Sequence, residues 1–176
     1  MKTILNTIAK KLRKRKNETI ILFIALIILN LTMYSHIITS ISEHNLLKIY
    51  FLDVGQGDSI LIILPGGAKI LVDGGPPNTK LLHEITKAIS PFDRRIDIVS
   101  HTHPQLDHFG GLIELLSRYR ASAYISNNKK SDTASFKALE QEITAQKIPH
   151  INQIKGDKIK YGSSTISVIH PTPEAL

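Results

Sequence analysis

Apolar residues recur along this chain in three different periods, and each predicts a different kind of element. Residues 19–38, TIILFIALIILNLTMYSHII, run for about 20 positions without a carboxylate, Lys or Arg, roughly what a helix needs to cross a bilayer. Residues 19–29 are the most apolar, while Asn30, Ser35 and His36 dilute the second half. The period then shortens. LLKIYFLDV (46–54) alternates and predicts a strand, GQGD (55–58) a tight turn, and SILIIL (59–64) a strand buried on both faces. Pro65-Gly66-Gly67 turns the chain back into AKILVDGG (68–75), a third strand, so the first half reads as a β-meander entering a core.

Helical spacing follows in TKLLHEITKAI (79–89), then a strand in RIDIVSH (95–101). GGLIELLSRY (110–119) predicts a helix beginning just after His108, ASAYIS (121–126) a strand, and SDTASFKALEQEITAQ (131–146) a helix capped by Ser or Asp. KGDKIKYGSSTISVIHP (155–171) predicts a two-stranded hairpin. Strands interleave with helices, so the fold class is α/β (α+β), a sheet covered by helices. The organisation expected is a basic tail (1–18), a membrane anchor (19–38), a polar linker (39–45) and one domain (46–176). The chain stops after a β-like run, which would leave a raw sheet edge, so the domain is expected to be incomplete.

Charge changes the picture only at the N-terminus. The chain carries 22 Lys and Arg against 15 Asp and Glu, a net charge of +7. Lys2, Lys10, Lys11, Arg13, Lys14, Arg15 and Lys16 all precede the first acid, Glu18, so the whole surplus sits in the tail. The remainder is neutral, which removes the simple case for a basic nucleic-acid-binding globule. Arg94-Arg95 and Lys129-Lys130 read as solvated surface charge. A basic cluster ahead of an apolar helix predicts a cytoplasmic N-terminus and an exported remainder, a single-pass membrane protein. A cleaved signal peptide would share these features, but no clear small-residue cleavage site follows. A buried core helix is the third alternative. There is no cysteine, so disulfides and thiolate metal sites are excluded and any metal would rest on His, Asp, Glu or similar ligands.

The densest chemistry lies in VSHTHPQLDHFGG (99–111), with three His, one Asp and one Gln within eight residues. Side chains on a loop between strand and helix can converge on one point. Imidazole and carboxylate suit zinc, manganese or iron. Asp107 and His108 are adjacent and point in different directions, so they could serve one ion while His103 serves another. Gly110 and Gly111 would let a helix start close to the site. His101 is expected to be packed or hydrogen-bonded, and His36, His44, His83 and His150 structural or exposed. Gly55, Gly57, Gly74 and Gly75 are read as serving backbone geometry.

This stretch resembles the HxHxDH motif of the metallo-β-lactamase superfamily. FLDVGQGDSILI (51–62), ILVDGG (70–75) and SHTHPQLDHFGGL (100–112) resemble, in order and spacing, the metallo-hydrolase domain of the ComEC competence proteins and their stand-alone relatives. The resemblance runs from about Lys48 to the C-terminus. It implies an αββα sandwich, two divalent ions (zinc or manganese) and hydrolase activity. For ComEC proteins it implies nuclease action on DNA during uptake. Carried over by position, it makes His103, Asp107 and His108 metal ligands and places Asp107 near the attacking water. Asp73 would line or support the site, either as a ligand or by holding one, and Asp58 would order its loop by bonding backbone N–H groups.

Two departures stand out. Gln105 occupies a position that the superfamily fills with His and many ComEC relatives with Asp, so it is a candidate ligand or a hydrogen-bonding support, and one metal position should be weak. The family's later "GD" turn and "HHGS"-like stretch are absent, and His170 in VIHP resembles a non-ligating segment. A membrane-tethered metal-dependent phosphodiesterase or nuclease, with a bilayer and DNA or another phosphodiester as partners, is therefore the first expectation. A non-catalytic binding module of the same fold and an acyl hydrolase are the alternatives. No protein partner can be inferred. One membrane span, where ComEC proteins have many, favours a stand-alone relative over an uptake channel.

Overall fold

The computed structural model describes residues 16–35 and 45–172. The tail to Arg15, the linker residues 39–44, His36, His44 and the last four residues lie outside them. Two units separate, Met1–His44 and Asn45–Leu176.

In the first unit one helix, α1 (Lys16–Ser35), carries the apolar stretch, with a mean hydropathy of 1.9 over its most apolar window. The polar residues that dilute it are satisfied by the helix itself. Asn30 Nδ2 donates to Leu26 O, Thr32 Oγ1 to Leu29 O and Ser35 Oγ to Thr32 O. Bonding back to the preceding turn is how short polar side chains are carried in an apolar helix at little cost.

The second unit is built on a six-stranded sheet in the order β1 (Lys48–Phe51), β2 (Ile60–Ile63), β3 (Lys69–Val72), β4 (Arg95–Ser100), β5 (Arg120–Ser126), β6 (His150–Asn152). The first three strands form the antiparallel meander that the alternation predicts, and β3 to β6 run parallel. Parallel neighbours require crossovers. These are α2 (Lys80–Ala88), α3 (Leu106–Arg118) and α4 (Ala134–Ala145).

Register shows how the sheet becomes two-faced. Leu61, Leu71, Val99 and Tyr124 stand side by side across β2 to β5. All four are buried in one cluster with Leu81, Ile85, Leu112, Leu115 and Leu139 of the helices. The neighbouring row, Ile62, Ile70, Ile98 and Ala123, points the other way because side chains alternate. Ile62, Ile70 and Ile98 pack with Ile166. The predicted hairpin is present as a separate sheet, β7 (Lys158–Tyr161) with β8 (Ser164–Ser167). The class is mixed α/β, with helices on one face of the large sheet.

Three expectations need correction. α3 starts at Leu106, not after His108, because Gln105 in an extended conformation serves as its N-cap (φ −101°, ψ 143°). Asp107 and His108 therefore lie in a first helical turn rather than a loop. The cap of α4 is Thr133, whose side chain accepts from Phe136 N, rather than Ser131 or Asp132. Strand β6 was not foreseen, since three exposed residues carry no periodic signal.

Candidate metal centre

Parallel pairing of β3 and β4 brings their carboxyl ends to the same edge, and the candidate residues sit there. Asp73 follows β3 directly, in the left-handed region (φ 60°), and its N–H donates to Ser100 O at the end of β4. Ser59 Oγ donates to Asp73 O. The carboxylate is 3% exposed and gathers three donors. Thr102 N donates to Oδ1 at 2.7 Å, Thr102 Oγ1 to Oδ2 at 2.7 Å, and His108 Nδ1 bonds Oδ2 at 2.8 Å.

Proton counting assigns both imidazoles. The Thr102 hydroxyl has one proton, and Asp73 takes it. The 3.0 Å contact between Thr102 Oγ1 and His103 Nδ1 must then run from the ring to the hydroxyl oxygen. His108 Nδ1 faces an acceptor-only carboxylate, so it too carries the proton. Each uncharged ring is left with its lone pair at Nε2. A carboxylate that fixes the tautomer of a metal-binding histidine is a recurrent arrangement. The two rings lie 3.8 Å apart by centroid, tilted by 49°.

Gln105 opposes this arrangement. Its Oε1 lies 3.0 Å from His103 Nε2. A half-turn of the amide presents its NH2 to the lone pair instead, so the side chain occupies the electron pair a metal would use. Asp107 is half-buried and has no hydrogen-bond or ion-pair partner among the described residues. No group of three or more His, Asp or Glu side chains stands ready to hold a metal among the described residues. The donor set nevertheless suits one divalent ion: two imidazole nitrogens fixed as Nε2 donors, with an unengaged carboxylate one residue from His108. A second ion is poorly provided for, because both Asp73 oxygens are spent on hydrogen bonds and an amide oxygen is a weak ligand.

Glycines hold the helix against this edge. A Cβ on Gly111 would meet Gly74 O at 2.2 Å, and Gly111 N donates to Gly75 O. Gly57 (φ +96°) packs under Asp107, whose backbone O would be 1.9 Å from any Cβ there. Asp58 joins the site through its backbone, its carbonyl accepting from Gly75 N. The carboxylate that accepts from the loop is Asp53, which takes Gly55 N at 3.3 Å.

His101 is packed, as expected. It is 3% exposed, bonded through Nδ1 to the Tyr124 hydroxyl at 2.5 Å and edge-on to Phe136. Burial pushes its pKa down to about 4. Thr102 is the residue that sequence reasoning missed. It contacts both Asp73 oxygens and His103, and only its place beside His103 at a strand end hinted at this.

Residues 52–173 match the family model described as the metallo-beta-lactamase superfamily. Solved structures with a similar fold include a Cronobacter sakazakii metallo-beta-lactamase with an HARLDQ motif, at 20% identity and TM-score 0.47, covering 69% of this chain and 46% of that one. A subclass B3 metallo-beta-lactamase of Bradyrhizobium japonicum is similar at 20% identity and TM-score 0.46, covering 70% and 48%. A diphosphatase of the PhnP family is similar at 16% identity and TM-score 0.41, covering 64% and 43%. The chain thus spans about half the length of the solved structures it matches. No match is found among curated proteins.

Proposed function

Because the chain belongs to the metallo-beta-lactamase superfamily, whose members are metal-dependent hydrolases that typically bind divalent metals, usually zinc, we propose that it is a membrane-anchored phosphodiesterase acting outside the cytoplasm. The observation that carries this is one buried carboxylate, that of Asp73, holding His108 directly and His103 through Thr102, so that both present Nε2. In this reading His103, His108 and Asp107 hold a zinc or manganese ion, and a second, weaker ion involves Gln105. A bound divalent ion supplies Lewis acidity and lowers the pKa of water. The chain's own residues do the rest. Asp73 and Thr102 fix the imidazoles, and Asp107 orients the attacking water. α1, preceded by a basic tail, anchors the protein with its N-terminus in the cytoplasm. Resemblance to ComEC-type domains favours DNA as the phosphodiester and a chain that is part of a larger hydrolase domain.

A second reading rests on Gln105. With its amide on His103 Nε2, the protein is a binding module that keeps the fold without catalysis. The full chain, purified in detergent, distinguishes the two. Hydrolysis of bis(p-nitrophenyl) phosphate and of single-stranded DNA that EDTA abolishes and manganese or zinc restores, and that Asp107→Asn eliminates, is expected of the enzyme. Absence of turnover with every divalent ion tried would leave the module.

A further inference from the structure

Beside the metal edge, between α4 and the ends of β5 and β6, lies a separate cavity of about 580 Å³. That volume is within the range of small-molecule sites. Phe136, Leu139, Ile143 and Ile148 form an apolar wall. Lys129, Lys130 and Lys147 are exposed at the mouth. Lys130 is paired with Glu140 at 3.0 Å, whereas Lys129 and Lys147 have no carboxylate partner among the described residues.

One buried polar atom in the lining is unmatched. His101 Nε2 has no hydrogen-bond partner among the described residues. Its other nitrogen lies 2.5 Å from the Tyr124 hydroxyl. A phenol is the stronger donor of the two, so Tyr124 gives its proton to Nδ1 and Nε2 carries the ring proton. The cavity therefore holds a buried N–H with nothing to accept it, a rare and costly state. His150 does not compensate. Ser126 Oγ accepts from Asn128 N and is hydrogen-bonded to His150 Nε2 at 2.7 Å, so those groups are already matched to each other. No side chain of the lining accepts from His101 Nε2, and the one carboxylate there, Glu140, is paired with Lys130, which leaves Lys129 and Lys147 as two uncompensated positive charges at the mouth.

We propose that this cavity binds an organic anion, its apolar body on the Phe136–Leu139–Ile143–Ile148 wall and its oxyanion accepting from His101 Nε2 and facing Lys129 and Lys147. The oxyanion is a carboxylate or a phosphate ester. The apolar wall gives a bare inorganic anion no favourable contact, whereas an organic body gains by burial there. Nothing in this site uses His103, His108 or Asp107, so it stands independently of the hydrolase reading.

The test uses the isotope-labelled full chain in phosphatidylcholine nanodiscs with EDTA present. 2-Naphthoate, 2-naphthyl phosphate and the uncharged 2-naphthylmethanol are titrated, and backbone amide shifts are read. The expected result is saturable shifts confined to His101, residues 124–130, α4 and residues 146–150, the segments that line the cavity. At least one anion should bind about tenfold more tightly than naphthylmethanol, as a charge-assisted bond to a buried N–H implies. Whichever anion binds more tightly identifies the source, carboxylate or phosphate ester. Lys147→Gln and Lys129→Gln lie on the surface and leave the fold intact, and each should weaken the anion several-fold without affecting naphthylmethanol. Equal affinity for charged and uncharged probes, shifts scattered outside the cavity, or no saturation with either anion would overturn the proposal.

Discussion

Replacing Asp73 with Asn separates the structural role of this carboxylate from its role in preparing the histidines. Asn is nearly isosteric and is one of the few residues that tolerates φ near +60°, so the backbone at Asp73 can stay in place. Its Oδ1 can still accept from Thr102 N. Its NH2 would replace Oδ2, which now accepts from Thr102 Oγ1 and His108 Nδ1. Every bond there can reverse. Thr102 would accept from the amide and donate to His103 Nδ1, and His108 Nδ1 would accept, so both rings would move their proton to Nε2. The network stays satisfied, but three bonds lose their charged partner. At about 1 kcal/mol each for the difference between charge-assisted and neutral bonds, the fold loses ~3 kcal/mol. Metal binding suffers more specifically, because both lone pairs now point away from the ion. Loss of such a supporting carboxylate costs about 10- to 100-fold in affinity. Zinc competition against a chromophoric chelator measures this, and urea unfolding of the same protein measures the fold. Zinc affinity within twofold of wild type, in a folded Asp73→Asn protein, would refute the tautomer assignment.

Other outcomes follow from the same geometry. Gln105→His, at a cap position already extended, removes the amide from His103 and adds a nitrogen donor, so calorimetry should find zinc bound at least about tenfold more tightly. Gly111→Ala forces a methyl into Gly74 O, and overpacking of this kind costs about 1–3 kcal/mol, a fall in melting temperature of several degrees. His101 has its pKa lowered by burial from 6.5 to about 4, so the unfolded chain binds the proton more readily. Stability is therefore full above pH 6.5 and declines as pH falls from there toward 4, by ~3 kcal/mol in all. His150, also lowered by burial, adds to the same slope. His101→Leu should flatten most of it in pH-dependent denaturation, although the Tyr124 hydroxyl then loses its acceptor.

The meander, the three crossover helices and the hairpin were legible because each has a period of two or 3.6 or, in residues 59–64, a short apolar run bounded by turns. It could not reveal β6, whose three residues are exposed and held only by pairing with β5. The start of α3 was misplaced because His103-Pro104-Gln105 read as loop chemistry, whereas an extended Gln105 lets the helix begin at Leu106. The candidate ligands were legible as a cluster of residue types. The role of Asp73 as shared acceptor was not, because it depends on β3 and β4 running parallel so that residues 73, 102 and 108 meet. Thr102 stayed invisible for the same reason. The cavity beside α4 had no local signature, since its lining comes from segments up to 49 positions apart, from His101 to His150.

Crystals of the full chain grown with excess zinc and measured at the zinc edge would test the metal centre most directly. An anomalous peak is expected about 2.0–2.1 Å from Nε2 of both His103 and His108, with Asp73 still bonded to His108 Nδ1. A protein with Gln105 still seated on His103 and no peak between those rings would contradict it.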